Sequence, residues 1–230
     1  MNLIFTFKEW RQGRRDTRAK HLSDDYVDIV TLRQRGILWA KGSGESITHI
    51  QAQIESRVRV PIKVLVPHGT YFVSTGSHQN MVTRCEYRFE LGPMSTEEIS
   101  VAASCINARL AIPKDSDGFY GVSRVSTKLR RFLEAAAGED PMTVQAGVWA
   151  ITDGYSASQI QGHLRKQVRF RPLTDIRDWR SFRDPEQSSP FSPFRNPFEE
   201  QLVDDGSAVS DQNIERARII LQELKIGTNL

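Results

Sequence analysis

Side chains suited to acid–base, nucleophilic or metal chemistry are few in this chain and scattered along it. Five histidines, His21, His49, His68, His78 and His163, lie outside any catalytic motif. His68 and His78 flank the hairpin-like stretch PHGTYFVSTGSHQN. Two histidines with no third ligand at helical or Cys-X-X-Cys spacing do not make a metal centre, and they read as loop side chains in water. The two cysteines, Cys85 and Cys105, form no Cys-X-X-Cys pair, and no His-Glu-X-X-His helix is present. GSGES and STGSH have the composition of phosphate loops without the GxxxxGK[ST] spacing, so no nucleotide is expected. The carboxylate pairs Glu97-Glu98, Glu199-Glu200 and Asp204-Asp205 sit at element edges or in loops and read as solvated charge. No catalytic residue, metal or cofactor is expected from this inventory.

Charge is more informative. The net charge is only +3, yet Lys8 and the run RQGRRDTRAK hold six of the 31 Lys and Arg residues. Arg11, Arg14, Arg15 and Arg18 are the candidate nucleic-acid contacts. No aromatic side chain is interleaved with these charges inside the run, and an unspecific single-strand site needs one to stack bases. A solvated basic face is therefore the expectation, with nucleic-acid binding as an alternative.

One short segment carries a resemblance. TVQAGVWAITDG, residues 143–154, resembles the TQxA-type helix of bacterial thioester domains, in which a Gln precedes small and apolar residues and a Trp. Gln145, Ala146 and Trp149 match that helix, while Val144 stands where the motif has Thr. The resemblance implies an upstream thiol, here Cys105, condensed with Gln145 as an internal thioester for covalent attachment to a target. The residues taken alone read differently: a core cysteine, and a glutamine bonding backbone at a strand end. VPIKVLVPHGTYFVSTGSHQNMVTR, SCINARLAIP and VQAGVWAITDG are together similar to an uncharacterised bacterial β-sandwich family over about residues 37–164. That similarity implies one continuous domain and no activity.

The elements that must position these residues follow from periodicity. In QNMVTRCEYRFEL, Met81, Cys85, Tyr87, Phe89 and Leu91 alternate with Arg84, Glu86, Arg88 and Glu90, as in a strand with one buried face. Gly92-Pro93 breaks the run, and Ile99, Val101, Ala103 and Cys105 resume it, so two antiparallel strands sharing a core are expected. Leu3, Phe5 and Phe7 suggest a short edge strand, and SDDYVDIVTLRQRG a helix capped by Ser23 and stopped by Gly36. Residues 37–105 are rich in short β-patterned runs at the spacing of a sandwich. IPKDSDGFYG has loop chemistry; beyond it the period becomes helical, with helices expected near 126–137, 141–153 and 156–166.

The expected fold is therefore mainly β (α+β): an antiparallel, Ig-like β-sandwich followed by short helices and an extended arm ending in a helix. Its units are residues 1–36 (strand, basic segment, helix), 37–170 (sandwich with appended helices), 171–209 (a Pro/Phe-rich arm) and 210–226 (an amphipathic helix capped by Ser210). Phe191, Phe194 and Phe198 on the arm, with Leu221 and Leu224 on the last helix, are the candidate contacts for a protein partner. Ordinary globular composition, 39% hydrophobic and 26% charged, argues against whole-chain disorder. MNLIFTFKEW has too short an apolar run to be a signal peptide or a membrane span. Two cysteines make no disulfide framework, and a cytoplasmic setting is expected. The expected function is a non-enzymatic protein-binding or adaptor module.

Overall fold

The computed structural model describes residues 3–22, 24–44, 46–113, 116–169 and 209–230. The chain opens with helix α1 (Leu3–Lys20), then β1 (Val27–Asp28) and α2 (Ile29–Gln34). Strands β2 (Leu38–Gly44), β3 (His49–Ser56), β4 (Ile62–Val66), β5 (Thr70–Ser74), β6 (Asn80–Thr83), β7 (Tyr87–Leu91), β8 (Thr96–Ile106) and β9 (Gly118–Arg124) follow. Helices α3 (Thr127–Ala135), α4 (Pro141–Thr152), α5 (Ala157–Arg169) and α6 (Asp211–Glu223) follow among the described residues.

The strand-rich α+β class holds, and the strands fall into two sheets, of which one is closed. Six of them close a barrel in the order β2-β3-β8-β6-β5-β9, and β1-β4-β7 form a separate three-stranded sheet. Period-2 alternation reports which face of a strand is buried and says nothing about which strand it joins. The closing strand is β9, part of which lies in the GFYG that reads as loop. It pairs with β2 (Lys41↔Tyr120) and with β5 (Phe72↔Val122). Gly121, at φ +93°, lets the strand pass directly beneath the Arg33 guanidinium, where a Cβ would collide with it.

The run from Gln79 to Leu91 divides between the two sheets. β6 pairs with β8 (Met81↔Cys105), as the alternation implies, but β7 leaves to pair with β4 (Val64↔Phe89). Arg84 marks the corner and is buried, not solvent-facing. Its Nε donates to Ala103 O at 2.9 Å and a terminal nitrogen to Thr48 O at 3.2 Å, serving carbonyls at the sheet switch. Burial holds its proton affinity below that of a free guanidinium.

Two other expectations change near the start. Residues 3–8 belong to α1 and not to a strand. Three alternating apolar residues are too few to outweigh the helix-forming run that follows them, because helices propagate cooperatively once nucleated. The expected helix after Ser23 shortens to α2, because Val27 and Asp28 pair in parallel with Val64 and Leu65. Asp28 then caps α2, accepting from Val30 N–H at 2.6 Å, and its other oxygen holds Arg124 of β9 at 3.0 Å.

The later helices lie where local chemistry puts them. Ser126 caps α3, Asp140 caps α4 with Pro141 at its first turn, and Ser210 and Asn213 form a reciprocal capping box on α6. α4 is buried from Met142 to Ala150 because it is covered by β8, α3, α5 and α6. The Phe132 ring of α3 lies on Gly147, filling the space a side chain there would take. No helix among the described residues is long and apolar enough to cross a membrane.

Candidate functional site

Cys105 and Gln145 are brought together, through the main chain of the cysteine. The β3–β8 ladder ends at His49↔Ala102, which leaves the last residues of β8 without a strand on that side. Gln145 takes the vacant place. Its Oε1 accepts from Cys105 N–H at 2.8 Å and its Nε2 donates to Cys105 O at 2.8 Å, as a strand residue would. The thiol points elsewhere, with Met81 Sδ at 3.3 Å and Ile47 O at 3.8 Å. Burial pushes its pKa far above the ordinary thiol value. Cys85 is half-buried and unpaired.

His78 is buried rather than a solvated loop residue. Its Nε2 lies 3.2 Å from Gly118 O, its Nδ1 3.8 Å from Asp117 Oδ1, and its ring stands edge-on to Phe119 at 5.1 Å. These contacts stitch the β5–β6 turn to the start of β9. His163 lies edge-on to Trp149 at 5.1 Å and to Tyr155 at 5.8 Å, beside an open cleft of about 450 Å³ lined also by Arg109, Ser158 and Gln159. Glu97 and Glu98 are exposed on β8, where Glu98 accepts from Gln53 at 2.7 Å. Among the described residues no group of three His, Cys, Asp or Glu is placed to hold a metal ion.

The candidate partner contacts divide. Phe191, Phe194 and Phe198 lie outside the described residues, as do Glu199, Glu200, Asp204 and Asp205. Leu221 is buried with Ile214, Ala217 and Ile220, and Leu224 packs half-buried beside them, so this face of α6 is used within the chain against α4 and α3.

The arginines of α1 form the most distinctive surface. Positions 11, 14, 15 and 18 recur at helical spacing, which sets them along one face. They meet the end of α2 and, with Trp10, Gln34, Arg35 and Gly36, line a shallow, open cleft of about 330 Å³. α1 is held there by its other face. Gln12 Nε2 donates to Arg57 O at 2.8 Å, Asp16 Oδ1 accepts from Arg59 N–H at 2.9 Å, and Ala19 is fully buried. Burial, then the charges of Arg57 and Arg11, lower the proton affinity of Arg15. Among the described residues no salt bridge joins Arg14, Arg15, Arg18 or Arg35 to a carboxylate. The Arg14 guanidinium lies over the Trp10 ring, 5.0 Å from its centre.

Comparison with protein-family models, curated proteins and solved structures finds no match. The chemistry of the site therefore rests on its own geometry. Arg35, Arg57 and Trp10 are members of this surface that the basic run does not announce. Trp10 was legible as the i−4 neighbour of Arg14 on a helix; Arg35 and Arg57 are brought in by tertiary contact alone.

Proposed function

We propose that the protein is a non-enzymatic binding module whose binding face is the arginine cleft between α1 and the end of α2, and that it takes an anionic partner. The convergence of Arg11, Arg14, Arg15, Arg18 and Arg35 on one cleft supports this. Like charges held this close repel, and a bound polyanion relieves the repulsion while releasing its own counterions. A buried thiol, and the carboxylate pair Glu97-Glu98 standing exposed on a strand, supply no opposed acid and base for catalysis among the described residues. A reducing, cytoplasmic setting suits a protein whose Cys85 and Cys105 are both free thiols.

Retention of the full-length protein on heparin tests the proposal. Replacing Arg11, Arg14, Arg15 and Arg18 by Ala should lower the eluting salt concentration well below that of a charge-matched control lacking Arg88, Arg109, Arg130 and Arg131, which are exposed elsewhere. Equal shifts in the two variants would mean that net charge alone governs retention and would remove the site.

A further inference from the structure

We infer that the anionic partner is a single-stranded nucleic acid, held along a track that starts in the arginine cleft, crosses Trp39 and ends at Tyr120; this rests on the binding-face reading above.

Three exposed aromatic side chains mark the track. Trp10 is 54% exposed, Trp39 48% and Tyr120 65%. Leu38 and Ala40 point into the barrel, so β2 presents Trp39 and Lys41 outward together. Tyr120 is the cross-strand partner of Lys41 on β9 and extends the same outer face.

Cations stand over or beside these rings. Arg57 lies against α1, where its carbonyl accepts from Gln12 Nε2 at 2.8 Å, and its guanidinium stands over Trp39 at 5.6 Å from the ring centre. Arg33 approaches the same ring at 6.0 Å and is itself lodged against Gly121 and Val122 of β9, with its Nε buried and without a hydrogen-bond partner. The order along the surface is therefore the arginine cleft with Trp10, then Arg57, Trp39 with Arg33, and Lys41 with Tyr120. Cations set among flat rings are what an unpaired strand requires, since every base offers a π-face and every linkage a charge.

Other polyanions fit less well. A duplex hides its base faces in the stack, so the exposed indole and phenol rings would gain nothing from it. Glu55 lies cross-strand from Trp39, and Glu97 and Glu98 are exposed farther round the barrel, so acid borders the track. A strand one nucleotide wide can run beside those carboxylates, whereas a flat anionic membrane would press on them.

Fluorescence anisotropy on the full-length protein at low salt, with labelled oligo-dT, oligo-rU, a mixed-sequence duplex and phosphatidylserine vesicles as probes, tests the track. The single strands should bind more tightly than the duplex or the vesicles. Trp39→Ala should weaken single-strand binding by about 5- to 150-fold, the range for losing one stacked base. Trp39→Phe, which keeps a ring, should restore most of it. The four-arginine variant should weaken binding and flatten its salt dependence. Single-strand binding unchanged in both Trp39→Ala and Tyr120→Ala would overturn the track and leave the anionic face standing. Tighter binding to duplex or vesicles would overturn the single strand as partner, again leaving that face. No binding to any probe at low salt would overturn both readings.

Discussion

Gln145 and Arg84 do the same work at two ends of one problem. Each is a polar side chain driven into the core by main-chain groups that a strand leaves unpaired. Gln145 completes the edge of β8 at Cys105, and Arg84 answers the carbonyls of Ala103 and Thr48 where β7 departs. A buried donor or acceptor stripped of its partner loses about 1–3 kcal/mol. Gln145→Leu keeps roughly the volume and abandons two such groups, so unfolding in urea should show a loss of about 2–6 kcal/mol with little change in m-value. The same preparation addresses the cysteine. With the amide engaged on backbone and the thiol directed at Met81, the intact mass should equal that of the unmodified sequence, and Cys105 should be alkylated only after unfolding. A mass lower by one ammonia, restored in Cys105→Ala after allowing for the substitution, would instead establish the thioester.

At the scale of elements, α4 organises the helical layer. Apart from Thr143 and Gln145 its buried residues are apolar or glycine, because neighbours cover all sides, and that is why its amphipathic signal is weak while its burial is nearly complete. Gly147 sits where α3 crosses it. Replacing Gly by Ala in a helix ordinarily gains about 1 kcal/mol, but here the new methyl meets the Phe132 ring. Overpacking of this kind costs about 1–3 kcal/mol, so Gly147→Ala should lower the melting temperature despite its better helix propensity. A rise in melting temperature would show that Phe132 can turn aside freely.

For the molecule as a whole, the barrel and the helical layer are joined through α4, and the chain's end is clipped onto that layer. Arg216 of α6 donates to Glu139, before α4, at 2.6 Å, and Asn213 donates to Asp140 at 2.9 Å. The hydrogen bond from Arg216, opposed by burial and helped by its charge, holds the Glu139 carboxyl below its usual pKa. A carboxylate depressed in the native state stabilises the fold above its unfolded pKa and loses that contribution as pH falls through the native one. Wild-type stability should therefore decline more steeply than that of Glu139→Gln below the usual glutamate range, with the two melting curves converging in acid. Parallel declines would mean the clip adds nothing. The net charge of +3 conceals the other molecular-scale feature, a single face on which basic and aromatic residues from α1, α2, β2, β9 and the β3–β4 turn are gathered.

What the sequence by itself determined was local. Ser126, Asp140 and Ser210 announce their helices because a cap bonds backbone only two or three residues away. Met81, Val101, Ala103 and Cys105 announce the buried face because neighbouring side chains on a strand must alternate. The outward Trp39 was readable the same way, from Leu38 and Ala40 on either side. The order of the strands was not readable. β9 closes the barrel through pairings with residues far from it in sequence, and the exposed Tyr120 and two glycines of GFYG hide its pattern. Arg84 looked like surface charge for a like reason, since its partners at Thr48 and Ala103 exist only after β7 has turned into the second sheet. The arginine face divides along the same line. Helical spacing brings Arg11, Arg14, Arg15 and Arg18 together, but only folding sets Arg35, Arg57 and Trp39 beside them, because the contact between α1 and the barrel is made across tens of residues and leaves no periodic trace in the sequence.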